Sequence, residues 1–124
     1  MSVFVYILQC GDGTLYTGWT PDLARRLQAH RAGKGAKYTR GRGPLTLAYV
    51  QRLETKSEAL RREAELKALP RARKLALCAP FQKAMRTAGG QDALALLESG
   101  APFEERGGGL VLLRPSGEEL FLPL

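Results

Sequence analysis

Two short apolar runs around a glycine-rich turn constrain this chain more than any other feature. Val3–Gln9 alternates and is rich in β-branched and aromatic residues, so it reads as a strand. Cys10-Gly11-Asp12-Gly13 is turn chemistry, and Thr14–Gly18 reads as the return strand of a hairpin. A register that pairs Cys10 with Thr14 puts Tyr6 and Tyr16 on one face, diagonal to each other, unless a bulge at Gly13 shifts it by one residue. Such a pair either packs a sheet face or lends two hydroxyls to a shared site.

The rest of the chain reads as an α+β pattern. Thr20 is the expected N-cap of a helix, with Pro21 at its first position and Asp22 at its positive end. That helix should run to about Ala32 and stop at Gly33. Gly33–Pro44 is a loop with four glycines, and Leu45–Leu53 reads as a third strand. Thr55-Lys56-Ser57-Glu58 is a capping box opening a helix to about Leu69. Pro70 is expected to start a short helix through Leu77, with Pro80–Arg86 as a further helical piece. After Gly89-Gly90 the character changes: Gln91–Ser99 reads as a short helix, and Leu110–Arg114 with Glu118–Leu122 as a terminal hairpin. We expect a domain over residues 1–86 and a small C-terminal helix-hairpin appendage over 87–124. The latter packs on the body, dimerises the chain, or recruits a protein partner.

Charge follows the same division. Residues 1–86 carry 17 of the 19 Lys and Arg and 6 of the 12 acids, a net of +11; residues 87–124 carry a net of −4. A basic body attracts polyanions, and binding to nucleic acid would be salt-dependent. Apolar residues make up 44% of the chain, enough for a core. The run Val3–Leu8 is too short for a membrane span and lacks the features of a leader, so a cytoplasmic protein with no membrane partner is expected. Two distant cysteines and one histidine do not make a zinc site.

Helical geometry singles out a few polar side chains. At about 100° per residue, with Leu23 at the origin, Leu27 falls at about 40°, His30 at about 340° and Arg26 at about 300°. Arg26 and His30 border the buried seam and can reach the sheet, whereas Arg25 faces water. A snorkelling arginine and a structural histidine are the plain alternatives. On the second long helix Glu63 lies inside the apolar arc of Ala59, Leu60 and Leu66, while Glu58 and Glu65 do not. A carboxylate there needs a partner. Either Lys67 supplies an i,i+4 pair, or Glu63 holds a Mg²⁺ that keeps several waters and a substrate phosphate. Lys34, Lys37, Arg40 and Arg42 form a phosphate-gripping arm, with Tyr38 available for stacking on a base, or a solvated loop.

The ordered set Phe4-Val5-Tyr6, Tyr16-Thr17-Gly18, Arg26 and Ala59-Leu60-x-x-Glu63 resembles the GIY-YIG nuclease domain. Leu15–Tyr38 resembles its short single-domain bacterial branch. The resemblance covers about residues 2–80, with Phe4, Val5 and Thr17 departing from the motif at backbone or packing positions. It implies a small three-stranded antiparallel sheet flanked by helices. It also implies an endonuclease that hydrolyses nucleic-acid phosphodiesters, DNA foremost, with one divalent cation, Mg²⁺ or Mn²⁺, and a place in DNA repair or processing. Carried over by motif, Tyr6, Tyr16, Arg26 and Glu63 are the catalytic set, with Glu63 as metal ligand. Arg26 would neutralise the phosphoryl oxygens. The base differs among family members; we take Tyr16 as base and Tyr6 as its orienting partner. His30 and Lys67 are supporting candidates, and Gly18 lets the backbone turn closely into the site. A nucleic-acid-binding module with weak catalysis is the alternative.

Overall fold

The fold is described from a computed structural model covering residues 2–124. Strands β1 (Val3–Gln9), β2 (Leu15–Thr20) and β3 (Thr46–Leu53) form an antiparallel sheet in the order β2-β1-β3. The β1–β2 ladder keeps the expected register throughout, with Tyr6 opposite Gly18 and Leu8 opposite Tyr16. Gly13 adopts a positive φ in the turn without shifting it.

Helix α1 (Leu23–Arg31) starts two residues later than Thr20 would have it. Thr20 is still paired with Phe4 in the ladder, so it cannot cap a helix. Its hydroxyl instead accepts from the Asp22 N–H, and Asp22 caps the helix by accepting from the Arg25 N–H. Helix α2 (Lys56–Ala68) has the expected capping box, Thr55 and Glu58 each bonding the other's backbone. Helix α3 (Arg71–Met85) is one element and not two: it runs straight through Pro80. Proline there forfeits one helical hydrogen bond. Burial of Cys78, Phe81 and Met85 along the helix outweighs that loss.

Each face of the sheet has its own core. Val3, Val5 and Ile7 of β1 pack with Ala48, Ala59, Leu66 and Cys78, under α2 and the first half of α3. Phe4, Tyr6 and Leu8 pack on the opposite side with Leu23 and Leu27 of α1 and Phe81 and Met85 of α3. Helix α3 therefore passes from one face to the other around the β3 edge.

Residues beyond Arg86 add α4 (Ala88–Glu98) and a second antiparallel sheet, β4 (Phe103–Arg106), β5 (Gly109–Leu113) and β6 (Glu119–Pro123). Gly89 and Gly90 lie inside α4, and not before it. A Cβ at Gly90 would fall 2.2 Å from the Ala84 carbonyl oxygen, so glycine permits the sharp α3–α4 elbow. β4 makes the terminal hairpin a three-stranded sheet; its charged, exposed residues gave no apolar alternation to find it by. Ala93, Leu97, Leu110, Leu112 and Leu122 join the cluster around Phe4 and Tyr6. Ion pairs from Arg31 to Glu98 and from Arg52 to Glu105 tie the acidic segment to the basic one. No helix among the described residues is long and apolar enough to cross a membrane.

Candidate active site

Tyr6 stands at the centre of the sheet with its ring fully buried, and its hydroxyl reaches across β2 over Gly18. A Cβ on Gly18 would lie 2.8 Å from that hydroxyl and 3.0 Å from the Tyr16 ring. The glycine therefore clears the path along which the two phenols approach. Tyr6 and Tyr16 are 6.4 Å apart between ring centroids, and the His30 ring lies edge-on to both.

Helix α1 delivers two polar groups to this point, one turn apart as its seam requires. The Arg26 Nε–H donates to Tyr6 Oη at 3.4 Å, and His30 Nε2 lies 2.8 Å from the same oxygen. Arg25, on the other side of the helix, is exposed. Burial pushes the Tyr6 phenol up to about 12, the Arg26 hydrogen bond opposing it and the charges of Tyr16 and Glu63 adding to it. Burial, seconded by the Arg26 charge, pulls His30 down to about 4, so its imidazole is neutral at pH 7. The hydrogen bond to Tyr6 raises the Arg26 pKa further above its ordinary range.

Glu63 comes from α2, the helix that covers the opposite face. Its side chain is 19% exposed and its carboxylate sits 3.7 Å from Lys67 Nζ, a loose i,i+4 pair. No hydrogen bond joins Glu63 to Tyr6, Tyr16 or Arg26 among the described residues. No group of three or more His, Cys, Asp or Glu side chains among the described residues could enclose a metal. A single half-buried carboxylate fits a hard ion that retains most of its water and takes its other ligands from a phosphate.

The loop from Gly33 to Pro44 is folded against this cluster. Tyr38 stacks on Tyr16 with centroids 5.8 Å apart, and the Arg42 guanidinium lies 4.6 Å from the Tyr38 ring centre. Arg42 also pairs with Asp12 in the β1–β2 turn at 2.6 Å. The Tyr38 ring is thus held between Tyr16 and Arg42 while remaining exposed in part. Lys34, Lys37 and Arg40 are exposed. Thr39 is 3% exposed and its Oγ1 lies 2.9 Å from His30 Nδ1, while Gly35 passes so near that a Cβ would meet that nitrogen at 2.3 Å. Sequence reasoning missed Thr39, Gly35 and Asp12. A buried threonine among lysines and arginines has no periodicity to reveal it.

Residues 2–76 match the family model described as the GIY-YIG catalytic domain. A UPF0213 protein of Halobacterium salinarum is 56% identical over 73 residues, covering 59% of this chain and 95% of that relative. A UPF0213 protein of Oceanobacillus iheyensis is 57% identical over 74 residues, covering 60% of this chain and 86% of that protein. The solution NMR structure of a UPF0213 protein from Bacillus halodurans aligns with a TM-score of 0.43 at 51% identity, covering 64% of this chain and 84% of that one. The family-model match spans the first sheet with α1, α2 and the start of α3. Through that region the chain belongs to the GIY-YIG family, a family of nucleases.

Proposed function

We propose that the chain is a divalent-cation-dependent endonuclease that hydrolyses DNA phosphodiester bonds, leaving a 5′-phosphate and a 3′-hydroxyl. The observation that carries this reading is the convergence of Tyr6, Tyr16 and Arg26 on one point over Gly18. A plain core would not gather a guanidinium and two phenols there.

Arg26 meets the scissile phosphate and stabilises the charge that grows on its non-bridging oxygens. Tyr6, buried and held neutral, serves as the fixed acceptor that orients Arg26. Tyr16, partly exposed beside it, takes the role of base toward the attacking water. Glu63 would hold a Mg²⁺ or Mn²⁺, which when bound polarises the phosphate and stabilises the leaving oxygen. Lys67 pairs with the Glu63 carboxylate, and His30 supports Tyr6. Lys34, Lys37 and Arg40 grip neighbouring phosphates, and Tyr38 with Arg42 completes the arm over the site. The exposed basic side chains of Lys34, Lys37 and Arg40 suit a polymer in place of a small molecule. A role in DNA repair or processing in the cytoplasm, and partner or self-association through residues 87–124, belong to the same proposal.

The test is nicking of supercoiled plasmid and branched DNA with Mg²⁺ or Mn²⁺, comparing the parent with Arg26→Ala and Glu63→Ala. Each variant should lose about 100-fold or more in kcat. Undiminished cleavage by both would overturn the assigned roles. Salt-sensitive binding with no cleavage by the parent would make the chain a nucleic-acid-binding module.

A further inference from the structure

The hydrogen-bond chain behind Tyr6 has a direction, and a residue of the loop sets it. Tyr6 Oη lies within reach of Arg26 Nε and His30 Nε2, and it is shielded from solvent. Arginine has no acceptor, so the Tyr6 proton can only be donated to His30 Nε2, which must then be unprotonated. A neutral imidazole so arranged carries its proton on Nδ1. That N–H needs an acceptor, and Thr39 Oγ1 stands 2.9 Å away. The Thr39 hydroxyl is free to accept because its own proton goes to the Ala36 carbonyl oxygen at 3.0 Å. Every member of the chain is satisfied in this sense only. In the reverse sense His30 and Arg26 would both donate to Tyr6 Oη, and the Tyr6 proton would have no acceptor.

We infer that Thr39 is a positioning residue that locks His30 in its Nδ1–H form, so that Tyr6 turns its hydroxyl proton away from Arg26 and offers the guanidinium a lone pair. The same loop carries Lys37, Tyr38, Arg40 and Arg42, so seating the phosphate-gripping arm and setting the site's hydrogen bonds are one event. Gly35 lets the loop backbone lie close enough to His30 for Thr39 to reach it. The effect on turnover rests on the nuclease reading above; the state of the imidazole does not.

His30 is the only histidine of the chain, so ¹⁵N imidazole spectra of the full protein at neutral pH report it without assignment ambiguity. The parent is expected in a single Nδ1–H form. Thr39→Val, which keeps the shape and removes the acceptor, should populate the Nε2–H form. It should also lower kcat on supercoiled plasmid DNA with Mg²⁺ by about 10-fold, KM staying within about 2-fold. Thr39→Ser should restore both. An Nε2–H parent, a Thr39→Val protein that keeps Nδ1–H and full kcat, or failure of serine to rescue would overturn the inference. A parent that shows Nδ1–H, shifts with Thr39→Val and cleaves nothing supports the tautomer lock and counts against the nuclease reading alone.

Discussion

The two faces of strand β1 are built on opposite terms. Val3, Val5 and Ile7 meet hydrocarbon from α2, α3 and β3, and their packing is indifferent to pH and to hydrogen. On the other face Phe4 and Leu8 flank Tyr6, whose hydroxyl feeds a chain of hydrogen bonds through His30 and Thr39 to a loop carbonyl. A buried polar chain is tolerated only when each member has a partner. Here none of the described buried side-chain nitrogens and oxygens lacks one. The first face holds the sheet together; the second uses that rigidity to aim a few polar atoms.

The contrast can be broken most severely on the hydrocarbon side. Ile7→Ala should lower unfolding free energy by about 2–5 kcal/mol, whereas Tyr6→Phe on the opposite face should lower it by only about 1–2 kcal/mol. Urea denaturation of both variants measures the difference, and equal losses would mean that the hydrogen bonds of the Tyr6 hydroxyl hold the fold as strongly as the hydrocarbon packing of Ile7. Acidity should sharpen the contrast next. His30 has a folded pKa of about 4 against an ordinary value of 6.5, so the unfolded chain binds the extra proton first. Its contribution is present above about pH 6.5 and is lost as pH falls toward about 4, by about 1–2 kcal/mol once screening is allowed for. Thermal melts over that range should flatten in His30→Gln relative to the parent. The smallest effect lies away from both faces. Gly89 is in the first turn of α4 with open space where a Cβ would go, so Gly89→Ala should stabilise the chain by about 0.5–1 kcal/mol.

What could be read from the sequence was local. The hairpin register, the capping box at Thr55 and the seam that brings Arg26 and His30 toward the sheet all depend on turn chemistry and on periods of 2 and 3.6. Errors arose where a neighbour overrode a local signal. Thr20 looks like a cap until its pairing with Phe4 is known. Pro80 looks like a break until Cys78, Phe81 and Met85 are seen to hold the helix on both cores. Phe103–Arg106 has too little apolar pattern to announce a strand, and only pairing with β5 makes it one. Tyr38 shows the same limit in the site, since nothing local announces that its ring lies between Tyr16 and Arg42.

By itself the order of residues carried the α+β class and the motifs by which the chain resembles its family, because strand alternation, caps and motifs all lie in short stretches of chain. Only the tertiary structure decided which polar side chains share hydrogen bonds. It brought Thr39 and Gly35 onto His30 and set Glu63 on the helix that covers the other face of the sheet. It also joined residues of the acidic segment to the core of the first sheet. Those relations are between segments distant in sequence, fixed by packing and burial, and no local pattern encodes them.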